Sequence, residues 1–333
     1  MNATINLEKK HFPVLLDELI SIISPLYGGT FIDCTFGQGG YSKKILSNKN
    51  NKVVALDRDP ETFIKAEKFK KTYKDRFRFE NERFSDINRL NISNQNLRAI
   101  IFDLGCSINQ INDFKKGLSF KYKGKLNMRL GKNIFSAHEV VNHMSYESLY
   151  KVFKYFGDES KSKIIARNIV RYRFNKTIYT EDLVGIINNV KKKYSKIHKS
   201  TKVFQSLRIL VNNEISQLIF GLINSFKLLP VGGILAVVTF HSLEDKIVKF
   251  FFKNYSEDKK NSRYLPEKKE GKKIFKLINK KPILPSNSEM NINPPSRSAK
   301  LRCVEKIDNL DDFNDFFKKF ENLLKIEKLT DEI

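Results

Sequence analysis

Continuous apolar runs and amphipathic segments alternate through the first third of the chain. The segments GGTFID, NKVVALDRD and RAIIFDLG each contain an apolar run that ends at an acid, which predicts strands that are buried in a sheet. Apolar positions at helical spacing follow the first two runs, and RFRFENERFSD offers a further strand by alternation. Strands and helices in this order are typical of βαβ units and predict an α/β fold with a parallel sheet.

The pattern changes near residue 113. From there to about residue 202 the apolar spacing is helical or irregular, and no segment predicts a strand. The segment FQSLRILVNNEISQLIFGLINSF then predicts one long amphipathic helix, and LPVGGILAVVTFHS predicts a turn that leads into a buried strand. We therefore expect an α/β domain made of residues 1–112 and 203–333, interrupted by a helical insertion of residues 113–202.

Two segments near the end of the chain have patterns of their own. Residues 256–281 are rich in lysine and are interrupted by Pro266 and Gly271, so we expect a mobile basic segment with one short strand, KIFKLI. The last amphipathic segment predicts a helix that packs onto the body of the protein or, alternatively, forms a dimer seam. Its apolar stripe consists of Leu310, Phe313, Phe317, Phe320 and Leu324.

The stretch TFIDCTFGQGGYS connects the first predicted strand to a helix through glycines. Gly37, Gly39 and Gly40 allow the backbone to approach a ligand closely. The dinucleotide pattern GxGxxG fails at its last position, which is Ser42, and no GK[ST] follows that would complete a Walker loop. The turn alone therefore indicates a ligand site but identifies no ligand.

Acidic residues end three of the predicted strands. Asp33 closes the first, Asp57 closes the second, and Asp103 closes a later one beside Gly105. The carboxyl ends of parallel strands meet at the ligand-binding edge of an α/β sheet, where a carboxylate can accept both hydroxyls of a ribose. Ordinary loop acids are the alternative. Because the pyrophosphate fingerprint is missing, the combination favours S-adenosylmethionine over a nicotinamide dinucleotide.

The charge of the chain is strongly positive. Lys and Arg number 61 against 37 Asp and Glu, which gives a formal net charge of +24. Such an excess favours a polyanionic partner, RNA or DNA, through neutralisation of phosphates. Compositional drift is the alternative for part of this charge, because the chain is rich in Lys, Asn, Ile and Phe and has no Trp.

One predicted helix of the insertion concentrates this charge. In SKSKIIARNIVRYRF, Lys163, Arg167 and Arg171 recur at every fourth position and form a basic stripe. The residues expected on the opposite, apolar face are Ile164, Ile165 and Ile169. The stripe indicates contact with RNA, and a solvated surface is the alternative.

The cysteines, the histidines and the lengths of the apolar runs indicate whether the protein binds a metal and in which compartment it works. Cys34, Cys106 and Cys303 form no CxxC, and the five histidines are scattered, so the sequence predicts no metal site. A sparse, odd set of cysteines is typical of a reducing cytosol. The first 20 residues carry charges throughout, and no run reaches the ~18 apolar residues of a membrane span. We expect a cytoplasmic protein with no membrane partner.

Several segments resemble one family closely. The matching segments are HFPVLLDE, DCTFGQGGYS, ALDRDP, FDLGCS, GLSF, LNMRL, FQSLRILVNNEI, TFHSLEDKIVK and NPPSRSAKLR. Together they resemble the bacterial 16S ribosomal RNA cytosine-N(4) methyltransferases of the RsmH/MraW type, nearly from end to end. The resemblance implies a class I methyltransferase sheet, which is Rossmann-like, with an inserted all-helical domain that recognises RNA. It also implies S-adenosylmethionine as cofactor, and as substrate a cytosine in the decoding region of the small ribosomal subunit.

The resemblance also implies roles for individual residues. Asp57 would hold the ribose of the cofactor, and Phe84 and Asp103 would flank its adenine. The whole implied cofactor set is Gly39, Gly40, Tyr41, Asp57, Phe84, Asp103 and Gln110. Three departures stand out: Tyr41 where the family has histidine, CSIN where it has SSP, and Asn127 where it has an acid.

The chemistry requires an acceptor for the hydrogens of the cytosine amine. Asp103 or the backbone carbonyls of residues 104–107 are in position to act as this acceptor. The tetrapeptide that usually supplies it in amino-methyltransferases, an acid or Asn followed by two prolines and an aromatic, is absent. An alternative class is an RNA-binding assembly factor that has lost catalysis, as Tyr41 and Asn127 would allow. A nicotinamide dehydrogenase is a more distant alternative.

Candidate RNA contacts extend beyond the basic stripe of the insertion. They are Arg167, Arg171, Arg208, His241, Arg297 and Arg302. In FHSLED, His241 and Glu244 either line the substrate pocket or form a structural turn in which Ser242 caps the following helix. The sequence leaves this choice open.

Overall fold

A computed structural model describes residues 13–131, 133–192, 197–256 and 272–332. Most of the predicted mobile basic segment, residues 257–271, lies outside the described residues. In the described part of the chain, no helix is long and apolar enough to cross a membrane.

A seven-stranded sheet forms the centre of the fold. Its strands are β1 (Gly29–Asp33), β2 (Asn51–Leu56), β3 (Phe77–Glu80), β4 (Leu97–Asp103), β5 (Ile234–Thr239), β6 (Phe275–Leu277) and β7 (Lys300–Lys306). Their spatial order is β3-β2-β1-β4-β5-β7-β6. The first five are parallel, whereas β7 pairs antiparallel with both β5 and β6. This arrangement confirms the expected class I methyltransferase sheet. The sequence analysis did not predict β7, although KLRCVEK carries a partial alternation.

Thirteen α-helices are described around this sheet. They are α1 (Leu16–Ile23), α2 (Gly40–Leu46), α3 (Phe63–Tyr73), α4 (Ile108–Asn112), α5 (Ala137–His143), α6 (Tyr146–Tyr155), α7 (Ser162–Arg173), α8 (Thr180–Val190), α9 (Thr201–Val211), α10 (Glu214–Leu228), α11 (Ser242–Asn254), α12 (Asn287–Ile292) and α13 (Asn314–Glu327). All seven helices from α4 to α10 lie between β4 and β5 in the chain.

The sheet separates two clusters of buried apolar side chains. One cluster packs α1, α2 and α3 against one face, for example through Leu19, Ile45 and Phe69. The other cluster joins α9, α10, α11 and α13 to the helices of the insertion and includes Val152 of α6 and Ile165 of α7. The apolar core of the insertion is therefore continuous with the core on this face of the sheet.

The predicted long helix after residue 202 is in fact two helices. α9 ends at Val211 and α10 begins at Glu214, because Asn213 has a left-handed backbone with φ of 50°. Asparagine tolerates this conformation better than most residues. The Asn212 side chain stabilises the break: its Nδ2 donates to the Met128 carbonyl at 2.8 Å, and its Oδ1 accepts from the Leu130 N–H at 2.9 Å. The break places Glu214 at the edge of a cavity.

The last helix packs onto the body through a stripe that differs from the predicted one. The buried apolar residues of α13 are Phe316, Phe320, Leu323 and Ile326. Phe317 and Leu324, which we expected on this stripe, are only partly buried. The predicted helical spacing of the apolar residues was correct. The buried face of the helix is shifted by about one residue from the predicted one, because α13 packs against both α10 and α6.

Candidate active site

A cavity of about 350 Å³ opens at the carboxyl ends of β1, β2 and β4. Its other wall is formed by the beginnings of α10 and α11 and by the segment around Asn293. The predicted cofactor residues Gly40, Tyr41, Asp57, Phe84, Asp103 and Gln110 all line it. Gly39 does not line it, whereas Gly37 of the predicted glycine turn does. Gln38, Arg58 and Asp59, which the sequence analysis did not select, also line the cavity.

The glycine turn brings a backbone N–H to the strand end of the cavity. Gly37 and Gly39 have left-handed backbones, with φ of 50° and 74°. A Cβ on Gly39 would lie 2.6 Å from the Phe69 ring, so this glycine is required by packing rather than by a ligand. The Gly37 N–H donates to Asp57 Oδ2 at 2.7 Å and thereby fixes the turn to the end of β2.

Asp33 is a structural residue rather than a ligand. It is fully buried, its Oδ2 accepts from the Ser42 hydroxyl at 2.7 Å, and its Oδ1 accepts from the Thr35 N–H at 3.3 Å. Burial raises the pKa of this carboxyl. Ser42, the residue that breaks the dinucleotide pattern, thus holds the end of β1 to α2.

Asp57 lies at the rim of the cavity with both oxygens partly engaged. Besides the Gly37 bond, Oδ1 accepts from the Asp59 N–H at 2.8 Å. Burial raises the pKa of Asp57 to about 6. Each carboxylate oxygen has a further lone pair, so the group can also accept hydrogen bonds from a pair of ligand hydroxyls.

Asp103 presents an unmatched acceptor to the cavity. Its backbone N–H donates to Thr35 Oγ1 at 2.7 Å, but its buried Oδ1 has no hydrogen-bond partner among the described residues. Burial, together with the negative charges of Asp33, Glu244 and Glu289, raises the pKa of this carboxyl well above its usual range. A buried acceptor without a partner is costly, so this oxygen is suited to a donor from a ligand.

Gln110 is tied into a network below the cavity. Its Nε2 donates to Asp59 Oδ2 at 2.6 Å, and its Oε1 accepts from the Ser107 N–H at 2.9 Å. The Lys116 ammonium donates to the same Asp59 oxygen at 2.7 Å. The network fixes the start of α4 to the end of β2. Asp59 belongs to the ALDRDP segment, which carries part of the family resemblance. Its position in that segment was the sequence signal that could have identified it as a site residue.

A flat apolar surface lines the part of the cavity near α10. The Phe84 ring packs edge-on against Phe102, with ring centroids 5.2 Å apart. A Cβ on Gly221 of α10 would lie 2.6 Å from the Phe84 ring, so the glycine makes room for it. An aromatic wall of this kind suits the face of a nucleobase.

Tyr41 fills the position where the family has histidine. Its ring is buried, and its hydroxyl donates to the Val14 carbonyl. Pro13 and Val14 also line the cavity. The Tyr41 side chain therefore holds the segment before α1 against the glycine turn.

The second wall contains ion pairs. Arg208 makes a bidentate pair with Glu214 at 2.8 and 2.9 Å and lies 3.9 Å from Glu244. His241 Nε2 lies 3.0 Å from Glu244 Oε1, the same oxygen that Arg208 approaches. Burial opposes ionisation of Glu244, but His241 and Arg208 outweigh it and lower its pKa. Both acids of this wall therefore have a basic side chain beside them.

In FHSLED, the residue that caps the following helix is not Ser242, which the sequence analysis considered for this role. His241, not Ser242, is the N-cap of α11: its Nδ1 accepts from the Glu244 N–H at 3.3 Å, and Glu244 Oε2 accepts from the His241 N–H at 3.2 Å. Ser242 is the first residue of the helix. Because Glu244 also lines the cavity, the turn is both a helix start and part of the wall.

Three of these side chains have the geometry of a possible metal site. Ligand atoms of Glu214, His241 and Glu244 lie within 4.8 Å of one another, which the scattered histidines did not lead us to expect. The Arg208 guanidinium, bonded to Glu214, already supplies the positive charge that a cation would bring. The prediction of no metal site stays a prediction.

The candidate RNA contacts divide by exposure. Arg167, Arg171 and Arg297 are exposed. Arg208 is partly buried in its pair with Glu214, and Arg302 Nε donates to Asp245 Oδ1 at 2.7 Å. For these two arginines, the ion pairs do not favour direct RNA contact.

Two residues of the insertion that the sequence analysis singled out, Ile164 and Asn127, lie away from the apolar core and from the cavity wall. Ile165 and Ile169 are buried as expected, but Ile164 is 45% exposed and lies on the solvent side of α7. Asn127 accepts from Arg129 Nε at 2.8 Å and is not among the residues that line the cavity. The replacement of an acid at this position therefore lies outside the cavity wall.

Comparison with known proteins identifies the family. The model of the MraW methylase family matches residues 8–307. The chain belongs to the MraW methylase family. The predictions of a methyltransferase and of S-adenosylmethionine as its cofactor are thereby confirmed.

Curated relatives cover nearly the same length. The ribosomal RNA small subunit methyltransferase H of Orientia tsutsugamushi (strain Ikeda) is 41% identical over 307 residues, which is 89% of this chain and 98% of that protein. The protein of the same name from Rickettsia prowazekii is 40% identical over 302 residues, with the same coverage of 89% and 98%. A methyltransferase from Streptococcus mutans solved in complex with SAH is 15% identical, covers 88% of this chain and 98% of that one, and gives a TM-score of 0.39. That TM-score is too low to support a conclusion about this chain.

Proposed function

We propose that the protein transfers the methyl group of S-adenosylmethionine to the exocyclic amino nitrogen of a cytosine in the decoding region of 16S ribosomal RNA. One observation carries the proposal: Asp103, whose buried Oδ1 has no hydrogen-bond partner among the described residues, lines the same cavity as Asp57 and Gly37 of the glycine turn. The curated relatives, which are named as methyltransferases of small-subunit ribosomal RNA, support the substrate class.

The residues on the strand side fit the cofactor. Asp57 would accept hydrogen bonds from the ribose hydroxyls, and Phe84 would pack against the adenine. The glycine turn, with Tyr41 behind it, would lie along the methionine portion. Because Asp33 and Asp57 accept from hydroxyl and backbone N–H groups, and Asp103 Oδ1 has no hydrogen-bond partner among the described residues, these three acids also suit a ligand that carries positive charge.

The chemistry needs orientation more than a strong base. The cytosine amine is a weak nucleophile because its lone pair is delocalised into the ring, and the bound cofactor supplies a methyl group that its sulfonium already activates. With the cofactor bound, the amine nitrogen would bond to the methyl carbon as the carbon–sulfur bond breaks, and the electron pair of that bond would stay on sulfur. Asp103 accepts a hydrogen bond from the amine, which localises the lone pair, and then takes up the released proton.

The insertion is our proposed RNA-recognition domain, with boundaries at residues 113 and 202. On α7, Lys163, Arg167 and Arg171 are exposed, and Phe174 follows them with 83% exposure. Basic side chains neutralise phosphates, and an exposed aromatic ring offers a stacking surface to an unpaired base. Arg297, near the cavity, extends the exposed basic surface. We propose the small ribosomal subunit in the cytoplasm as the partner.

The proposal is tested by methyl transfer from labelled S-adenosylmethionine to small ribosomal subunits that lack the modification. We expect incorporation into the small subunit and none into the large subunit, and Asp103→Asn should bind cofactor without incorporation. Cofactor binding by the wild-type protein without any turnover would instead favour the RNA-binding assembly factor.

A further inference from the structure

Three arginines that have no part in the proposed reaction meet at one edge of the cavity. Arg58 follows β2 and lines the cavity itself, and Arg83 immediately precedes Phe84, which also lines it. Arg129 belongs to a loop that packs on Arg58, because a Cβ on Gly131 of this loop would lie 3.1 Å from the Arg58 carbonyl oxygen. Arg58, Arg83 and Arg129 form the arginine cluster, whose members come from three separate parts of the chain.

Hydrogen bonds to two asparagines hold the arginine cluster together. Arg58 Nη1 donates to the Asn212 carbonyl at 3.0 Å, and Asn133 Nδ2 donates to Asn212 Oδ1 at 2.8 Å. Arg83 Nη2 donates to Asn133 Oδ1 at 3.5 Å, and Arg129 Nη1 donates to the Asn133 carbonyl at 3.4 Å. Each guanidinium group has five N–H groups, so this network leaves donors of all three arginines for a ligand.

The arginine cluster has no acidic partner in the described part of the chain. Among the described residues, none of its members forms an ion pair with an Asp or Glu, whereas Arg208 binds both oxygens of Glu214. Arg58 Nη2 is buried and has no hydrogen-bond partner among these residues. Burial also lowers the pKa of the Arg58 guanidinium. A buried cationic donor without a partner is costly, which suits the cluster to an anion that a ligand supplies.

The cofactor has no anion to offer at this place. In the proposed function, Asp57 holds the ribose and Phe84 packs against the adenine, and these two residues are the chain neighbours of Arg58 and Arg83. The adenosine portion of S-adenosylmethionine carries no anionic group. Its carboxylate belongs to the methionine portion, which we place along the glycine turn. The expected source of the anion is therefore the RNA substrate, which carries a phosphate at every nucleotide.

We propose that the arginine cluster binds a phosphate group of the RNA strand beside the target cytosine. A base that leaves its stack to enter a pocket turns about the backbone, so its flanking phosphates stay at the mouth of the pocket. Arg83 and Arg129 are half-buried and can meet such a phosphate there, and arginine binds phosphate oxygens through paired N–H groups. The contact anchors the strand while the base lies in the cavity. The inference rests on the proposed function, because it takes RNA as the ligand.

The test replaces single phosphates of the RNA by neutral methylphosphonates. Small subunits are reconstituted with RNA that carries a methylphosphonate on one side or the other of the target cytosine, after a deoxy sugar that keeps the linkage stable. The matched control has the same deoxy sugar and an ordinary phosphate. For the wild-type protein, one of the two positions should weaken subunit binding about tenfold or more, as expected for a lost hydrogen bond to a charged group.

The same measurement on Arg58→Gln completes a double-mutant cycle. Binding of the control subunit should fall about tenfold, and the methylphosphonate penalty should disappear, because both changes remove the same contact. The slope of log affinity against log salt should decrease by about 1. Cofactor affinity, measured by calorimetry, should change less than about twofold, since the two changes act on the RNA contact alone.

Two further variants keep the outcome interpretable. Arg83→Gln removes a side chain whose bond in the network is long, so it should fold and lose the methylphosphonate penalty even where Arg58→Gln does not fold. Arg89→Gln, at the exposed end of the short helix Phe84–Arg89, should behave as wild type. An unchanged penalty in folded Arg58 and Arg83 variants would overturn the inference. A loss of cofactor affinity with unchanged subunit binding would also overturn it and would assign the cluster to the cofactor.

Binding is measured separately from methyl transfer, so the two proposals can fail separately. A methylphosphonate penalty that depends on Arg58, in a protein that transfers no methyl group to any subunit, would refute the proposed function and support the phosphate site. Methyl transfer to the target cytosine without a penalty at either position would support the proposed function and overturn the phosphate site.

Discussion

The acids on the strand side of the cavity and those on the helix side are stabilised in opposite ways. On the strand side, Asp33 and Asp57 accept from a hydroxyl and from backbone N–H groups, and burial raises their pKa values. On the helix side, Glu214 and Glu244 are matched by Arg208 and by His241. The helix-side acids thus have basic side-chain partners, whereas Asp33 and Asp57 are hydrogen-bonded to uncharged groups. A cationic cofactor with several hydrogen-bond donors is therefore expected on the strand side.

The sharpest test of this contrast is Asp103→Asn. The variant keeps the shape of the side chain but removes its charge and its capacity to take up a proton. We expect methyl transfer to fall about a thousandfold, in the range typical of lost acid–base catalysis. Cofactor affinity, measured by calorimetry, should change less than about tenfold. Equal losses of affinity and turnover would show that Asp103 acts only in cofactor binding.

Removing the cation on the helix side should damage stability instead. Arg208→Ala leaves Glu214 and Glu244 without their positive partner, and breaking a buried pair costs about 3–5 kcal/mol. Denaturant unfolding should report this loss, with Arg167→Ala as an exposed control that changes stability by less than about 0.5 kcal/mol. Equal stability of the two variants would show that the ion pairs of Arg208 do not stabilise this wall of the cavity.

The ribose role of Asp57 predicts a loss of affinity and a pH dependence. Asp57→Ala should weaken cofactor binding about a hundredfold, because hydrogen bonds to a charged group are worth about 1.5–3 kcal/mol. The exposed Asp75→Ala serves as the control. With a raised pKa of about 6, the carboxylate is lost as the pH falls through 6, so wild-type affinity should be constant above that value and decline below it. In Asp57→Asn the decline should vanish; a persisting one would assign it to another group.

The exposed stripe on α7 should affect RNA binding alone and by the smallest amount. Arg167→Ala and Arg171→Ala together should raise KM for the small subunit about tenfold and reduce the slope of log affinity against log salt by about 2. Cofactor affinity should not change. The matched control is the double substitution of Lys70 and Lys71, which lie on α3 away from the insertion. An equal effect of the control would mean that only net charge matters.

The strand ends could be predicted from the sequence because each apolar run is continuous and ends on an acid. The different roles of Asp33, Asp57 and Asp103 could not, since they depend on which hydroxyl or N–H group the fold brings to each carboxylate. Ser42 illustrates the difficulty: a residue that only broke a motif in the sequence proved to be the partner of Asp33.

Other features were hidden because local patterns do not report tertiary partners. The helical period continues on both sides of Asn213, so the break between α9 and α10 depends on contacts that Asn212 makes with a distant loop. A basic residue gives the same sequence signal whether it is solvated, as Arg167 is, or paired inside the protein, as Arg302 is. Only the fold separates the two.

The central claim is that the cavity directs methyl transfer to the amino nitrogen of a cytosine. It is tested most directly by treating unmodified small subunits with the protein and isotopically labelled S-adenosylmethionine, digesting the RNA and mapping the labelled nucleoside by mass spectrometry and chromatography. The account predicts one labelled N4-methylcytidine in the decoding region and its loss in Asp103→Asn. Label on a ring carbon, on another base or outside that region would contradict it.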